Sequence, residues 1–282
     1  MKTRDKCKGF VEENAVYRCL FVGKIVSLRR NAESDINMIS IIMAAYNAEN
    51  TIQAAINSAL AQTYTDYEII VVDDCSTDGT VSVVETYTDP RIRLLRMQSN
   101  VGVARARHEA IMQAKAEWIA ILDSDDIWSP SKLEEQVQLQ RKTGGMLIFT
   151  GSRFIRNDGT PVSWEQRVPE SIGFTKLLRH NIISNSSTLV RKDIFLKYEL
   201  LDDRVHEDYA CWLRMLRDGY LAYGIDKPML TYRLSTNART ANKWKSLCMN
   251  WRTLRAVGLS IPRTLYYMTC YTLHGLIKYS SF

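Results

Sequence analysis

Continuous apolar runs alternate with segments of helical spacing from Ile39 to Asp123. ISIIMAAY (39–46), YEIIVVDD (67–74), RIRLLRM (91–97) and EWIAILD (117–123) read as strands. Between them NTIQAAINSALAQT (50–63), DGTVSVVETY (78–87) and GVARARHEAIMQAKA (102–116) repeat apolar residues every three or four positions, the spacing of one helix face. Asp78-Gly79 marks a turn before the second of these helices, and Asn100 with Gly102 marks entry to the third. Apolar strands separated by helices predict βαβ units and a mostly parallel sheet buried on both faces, an α/β protein.

Beyond Pro130 the pattern changes. SKLEEQVQLQRKTG (131–144) is a charged amphipathic helix, and MLIFTGSRFI (146–155) is a strand that ends at the turn Asn157-Asp158-Gly159. Residues 173–234 mix helix and strand, with the helix EDYACWLRMLRDG (207–219) and a strand pair, YLAYGI (220–225) and MLTYRL (229–234). Residues 243–279 read as two further helices. In the first, Trp244, Leu247, Cys248, Trp251 and Leu254 share a face; the second carries Tyr266, Tyr267, Tyr271 and Lys278. Three segments follow: an extension outside the fold over 1–37, or a start assigned too early; the main α/β domain over 38–235; and basic, aromatic C-terminal helices over 236–282.

Bulk properties narrow the function classes. The chain has 282 residues, 46% of them hydrophobic and 24% charged, as in ordinary globular proteins, with no repeat or low-complexity segment. Net charge is +6, with basic ends (1–31 and 233–282) around a centre that holds most of the carboxylates. Such a distribution suits an acidic site on a body that touches an anionic surface. A basic amphipathic C-terminus fits a membrane surface, or equally the flank of its own domain. The longest candidate for a span, TLYYMTCYTLHGLI (264–277), is well short of the ~20 apolar residues required. Residues 15–28 lack the features of a secretory signal. The six cysteines have no CxxC spacing and read as free thiols of a reducing cytosol. No nucleic-acid reading motif accompanies the positive charge, so nucleic acid is not expected as a partner.

The chemistry concentrates at strand ends. In an open α/β sheet ligands bind beyond the carboxyl ends of the strands. Tyr46-Asn47, Asp73-Asp74 and the run Asp123-Ser124-Asp125-Asp126 all fall there. Uncompensated, such carboxylates repel one another, and a hard divalent cation resolves the conflict. Oxygen ligands favour Mg²⁺ or Mn²⁺, and a site with one or two carboxylates leaves positions for substrate phosphates. There is no G-x-G-x-x-G after the first strand, no P-loop, no G-x-S-x-G elbow and no HxxxH pair. Dinucleotide binding, P-loop chemistry, serine hydrolysis and a zinc site are therefore unsupported.

In order along residues 38–235, SIIMAAYNAENTI, YEIIVVDDCSTDGT, NVGVARARHEAI, EWIAILDSDDIWSPSKLEEQ and EDYACWLRML resemble the successive motifs of the family 2 glycosyltransferases, which have the GT-A fold. YRLSTNARTANKWKSLCMNW (232–251) more loosely resembles the tail of bacterial members that build O-antigen, capsule or teichuronic acid. The resemblance implies an inverting, metal-dependent transfer from a nucleotide-diphosphate sugar, commonly UDP-linked. The acceptor would be a saccharide on a polyprenyl diphosphate, at the cytoplasmic face of the inner membrane. It places Tyr46 and Asn47 in the nucleotide pocket, Asp74 or alternatively Asp73 on the base or ribose, and Arg107 or alternatively Arg105 on the donor. His108 stands where the family often has Asn. Asp123 would face ribose and metal, and Asp125 would ligate the metal, with Asp126 as the alternative in register. Trp128 would wall the sugar pocket or pack beneath the next helix. The base maps to Asp208 of the Glu207-Asp208 pair, since a positioned carboxylate must take the acceptor's proton. Helix capping is the competing role for that pair. Arg204, His206 and Arg233 lie near enough in sequence to contact diphosphate or acceptor.

Two other activities compete. A nucleotidyltransferase shares the sheet and the metal-held phosphates, but it should carry a Gly-rich basic loop where this chain has AAYNAENT. In a non-catalytic sugar- or nucleotide-binding module the acidic rim would be vestigial, and the intact Asp123-Ser124-Asp125 and Glu207-Asp208 motifs argue against it.

Overall fold

Residues 36–234 and 243–279 are described by a computed structural model of the chain. The expectation for an N-terminal extension lies, apart from its last two positions, outside the described residues. The described residues from Ile36 onward cluster as one compact unit.

The alternation forms as its spacing predicts. Strand β1 (Ile39–Ala45), helix α1 (Ile52–Leu60), β2 (Tyr67–Asp73), α2 (Thr80–Glu85), β3 (Ile92–Arg96), α3 (Val103–Met112) and β4 (Trp118–Ile121) follow in order. Every residue of β2 and β4 is buried. That accounts for unbroken apolar runs in place of alternation, because both faces are covered. Ile41, Ile42, Ile69, Ile70, Val71, Ile119 and Ile121 are among the fully buried residues, and each such side chain contributes about 1.5–3 kcal/mol relative to exposure.

The second half is less regular. A two-residue strand β5 (Ile127–Trp128) leads into α4 (Lys132–Thr143), which ends at Gly144 in the left-handed conformation, the usual glycine stop. Strands β6 (Leu147–Arg156), β7 (Pro161–Gln166) and β8 (Ser171–Ile172) precede α5 (Phe174–Arg179) and a 3-10 turn at Asn185–Ser187. Then come β9 (Leu189–Arg191), α6 (Lys192–Tyr198), α7 (Glu207–Arg217), β10 (Ala222–Leu234), α8 (Lys243–Ala256) and α9 (Ile261–Tyr279). The sheet runs β3-β2-β1-β4-β9-β6-β10-β5, with β7 on β6 and β8 on β10. Strands β1 to β4 pair in parallel, β9 runs antiparallel between β4 and β6, and β10 is again parallel to β6.

Two expectations need correction. Residues 220–225 and 229–234 are not a strand pair but parts of one strand, β10, whose register on β6 shifts on either side of Pro228. Proline has no N–H for the ladder, so the break in the apolar pattern is a bulge within a strand. The apolar face expected for α8 is also rotated. Trp244 is 76% exposed, whereas Met249, Asn250, Thr253 and Leu254 are buried. The helix is held by neighbours that include the N-terminus of α7, where the His206 N–H donates to Thr253 Oγ1 at 2.9 Å.

Candidate active site

Register places the candidate residues on one rim. Ala45 at the end of β1 is level with Asp73 of β2, which is level with Arg96 of β3, and Ile42 is level with Ile121 of β4. The chain leaves these strands at Tyr46, Asp74 and Leu122, so three loops open side by side at the carboxyl edge.

The first two loops are stitched together. Asn47 and Cys75 both have positive φ, 50° and 65°. The Asn47 N–H donates to Ser76 Oγ at 3.0 Å, and its Oδ1 accepts from the Thr77 N–H at 2.8 Å. Asparagine tolerates the left-handed region better than most residues, which suits it to this corner. Tyr46 is half exposed on the rim. Asp74 is buried, and its two oxygens accept the N–H groups of Val101 and Gly102 at 2.8 and 2.9 Å. It therefore anchors the entry to α3. Asp73 is buried as well; Oδ2 accepts the Ser76 N–H at 3.1 Å, and Oδ1 has no hydrogen-bond partner. Of this pair, Asp73 keeps the unspent acceptor. Gly102 is required at its place: its φ is +88°, and a Cβ there would lie 1.8 Å from Asp203 Oδ2.

The third loop is different. Asp123 is fixed through its main chain, donating its N–H to Ser186 Oγ at 3.0 Å. Its Oδ1 accepts from Arg107 Nη2 at 3.1 Å, and the same buried guanidinium reaches Glu207 Oε1 with Nη1 at 3.4 Å. One arginine of α3 thus ties the end of β4 to the start of α7. Burial opposes its charge, but Asp123, Glu207 and Asp208 outweigh burial and raise its pKa further. Arg105 points to solvent, and His108 Nδ1 lies 2.7 Å from Glu199 Oε1.

The remaining aspartates of that loop are short of donors. Burial, then the charge of Asp123, lifts the carboxyl of Asp125 to about 6. Asp126 is pushed well above the usual carboxylate range by burial and by Asp125 and Asp123. Its Oδ1 accepts the Arg233 N–H at 3.0 Å, whereas Oδ2 is buried with no hydrogen-bond partner. Arg233 spends its side chain on the carbonyls of Asp125 and Asn157. No group of three or more His, Cys, Asp or Glu poised for a metal occurs among the described residues. Close carboxylates that are short of donors fit a hard cation whose other positions belong to phosphate and water.

At α7 the pair divides its work. Glu207 is buried against Arg107, whereas Asp208 is half-buried, accepts the Tyr209 N–H at 2.7 Å and lines a small cavity with Arg107, Phe195, Glu199 and Leu200. Trp128 is buried, 3% exposed, and its indole N–H donates to the Ser186 carbonyl at 2.7 Å. It packs under the helix that follows. Sequence reasoning did not single out Ser186, Gln62, Lys132 or Gln136. Gln62 accepts the Leu133 N–H and donates to the Ser129 carbonyl, which sets the path from β5 to α4. For Gln62, Lys132 and Gln136 the only signal was a polar residue in a helical segment, and Ser186 gave none.

Comparison with known proteins identifies the family and the fold. Residues 40–205 match the family described as Glycosyl transferase family 2. TuaG of Bacillus subtilis strain 168, a glycosyltransferase attributed to teichuronic acid biosynthesis, is 34% identical over 222 residues, covering 78% of this chain and 88% of that protein. WfgD of Escherichia coli, a UDP-Glc:alpha-D-GlcNAc-diphosphoundecaprenol beta-1,3-glucosyltransferase, is 34% identical over 245 residues, 86% of this chain and 95% of that one. Among solved structures, the mannosyltransferase PcManGT of Pyrobaculum calidifontis, in complex with GDP-Man and Mn²⁺, superposes with a TM-score of 0.63 at 18% identity, covering 85% of this chain and 70% of that one. That likeness shows a shared GT-A fold.

Proposed function

This chain belongs to glycosyl transferase family 2, and from that premise we propose that it moves a sugar, with inversion, from a UDP-linked donor to a saccharide carried on a polyprenyl diphosphate. The product would enter a cell-surface polysaccharide. Membership sets aside nucleotidyl transfer and a non-catalytic module. The donor and acceptor classes follow the name of WfgD, which uses UDP-Glc and a diphosphoundecaprenol-linked acceptor.

One observation carries the reading: buried Arg107 joins Asp123 of the acidic loop to Glu207, the neighbour of Asp208. That link supports a single site, with the donor on the Asp123 side and the acceptor on the Asp208 side. Asp123 and Asp125 would hold Mn²⁺ or Mg²⁺, with Asp126 behind them. When bound, the cation supplies positive charge against the departing diphosphate. Asp73 and Tyr46 border the nucleotide. Asp208 takes the proton from the acceptor hydroxyl as its oxygen bonds to the anomeric carbon and the bond to diphosphate oxygen breaks. The transition state has oxocarbenium character, and one displacement inverts the centre.

Work on a lipid-linked acceptor calls for contact with the membrane's cytoplasmic face. No helix of the described residues is long and apolar enough to cross a membrane. Ile261, Leu265 and Tyr266 of α9 are each 55% exposed, with Arg263 exposed beside them. That combination suits peripheral attachment to anionic lipid.

The test uses UDP-sugars, a polyprenyl-diphosphate-linked acceptor and Mn²⁺, with UDP release as the readout. Asp208→Asn should slow transfer by about 10²–10⁴, the usual contribution of a general base, while UDP and Mn²⁺ still bind. Near-normal turnover by that variant would remove Asp208 from the reaction.

A further inference from the structure

Lys132 is the first residue of α4, and none of its side chain reaches solvent. No carboxylate pairs with it among the described residues, and burial alone pushes its amine well below the ordinary lysine value. A cation at a helix N-terminus also opposes the helix dipole. Methionine would fill similar space with neither penalty. What lysine offers and methionine lacks is N–H donors on a compact head.

Those donors are used toward the site. Nζ donates to Gln136 Oε1 at 2.8 Å and stands 3.9 Å from the centroid of the Trp128 ring. Donation from Nζ takes the amide oxygen of Gln136 and turns the amide nitrogen away. That nitrogen donates to the Ser187 carbonyl at 3.0 Å and the Ile148 carbonyl at 3.2 Å. The other arm runs through Trp128, whose indole N–H holds the Ser186 carbonyl at 2.7 Å. Both arms end on the Asn185–Ser187 turn, and Ser186 Oγ receives the Asp123 N–H at 3.0 Å.

We propose that Lys132 is a positioning residue: by gripping Gln136 and Trp128 it locks the Asn185–Ser187 turn and so fixes Asp123 for cation and diphosphate. The proposal rests on the reading of Asp123 and Asp125 as the metal and donor site. Groups behind metal ligands typically change metal affinity by 10–100-fold, and a buried charge kept at the expense of stability is common near functional sites.

The experiment measures Mn²⁺-dependent UDP binding by calorimetry, with thermal melting alongside, on wild type, Lys132→Met and Trp128→Phe. UDP lacks the transferred sugar, so a contact to that sugar cannot confuse the result. Lys132→Met should bind about tenfold more weakly yet melt no lower than wild type, a split that a merely structural lysine would not produce. Should Lys132→Met fail to fold, Trp128→Phe decides. It keeps a ring over the amine but has no N–H for Ser186, and it should show a similar loss. Wild-type affinity in a folded Lys132→Met, or in Trp128→Phe, would overturn the brace alone. Absence of Mn²⁺-dependent binding in wild type would overturn the site reading and the brace together.

Discussion

The carboxylates at the end of β2 and those beyond β4 occupy one rim of one sheet, and the protein treats Asp74 and Asp125 in opposite ways. Both oxygens of Asp74 meet backbone N–H groups, and Asp73 has one oxygen so engaged. Their charge is largely consumed in ordering the loops that lead to α2 and α3. Beyond β4, Asp123, Asp125 and Asp126 crowd together with fewer donors. Asp125 stands at about 6, and Asp126, like Asp73, keeps a buried oxygen with no partner. A carboxylate satisfied by the chain's own amides builds structure. A carboxylate left short by the chain is, on the proposed reading, open to a cation from outside.

The sharpest way to break this contrast is to neutralise one member of each cluster. Asp125→Asn should weaken Mn²⁺-dependent UDP binding by more than about 100-fold, beyond the effect of groups that only support a ligand. Transfer should fall with it. The metal-free variant should melt no lower than wild type, because a desolvated, repelled charge has been removed. Asp74→Asn should do the reverse. Asparagine presents one oxygen and one NH₂ where two N–H groups need acceptors, which costs about 1–3 kcal/mol, several degrees in melting temperature. Its UDP affinity should change far less than that of Asp125→Asn. An affinity loss as large, with unchanged melting, would reverse the assignment of the two clusters.

How much of this was legible follows from the same contrast. Strands β1, β2 and β4 could be read because burial on both faces writes itself as an apolar run. The Asp123–Asp126 loop could be read because adjacent like charges are a conflict that composition exposes. Asp74 could not be told from Asp73, since their difference lies in amides of Val101 and Gly102, 27 and 28 residues away. Ser186 was invisible for a similar reason, 63 residues from Asp123. Strand β10 was split in two because the bulge at Pro228 interrupts its apolar pattern. On α4, the face Lys132, Leu133, Gln136, Val137, Gln140 has helical spacing, but residue type argued against burying its polar members, and all five are buried.

The contrast extends to the two buried cations beside the acidic loop, and here the expected effect is smallest. Arg107 is compensated by Asp123 and Glu207, and its pKa is raised; Lys132 has no carboxylate, and its pKa is lowered. The two should differ in how pH acts on stability. Below its depressed folded value Lys132 is protonated in both states, and the folded protein carries the full burial penalty. Above that value the folded amine is neutral, while the unfolded one still takes a proton up to about 10.5. The unfolded state then binds more protons, so stability rises with pH across that window. Lys132→Met lacks this rise. Its melting advantage over wild type should be greatest in neutral buffer and shrink as pH approaches the ordinary lysine value. Trp128 and Gln136 are the side chains facing the amine, and neither titrates there, so the slope belongs to Lys132 itself. Paired melts of the two proteins from pH 7 to pH 10 measure it. A constant difference would mean that the amine is not forced toward neutrality, and that Lys132 resembles Arg107 more closely than its surroundings indicate.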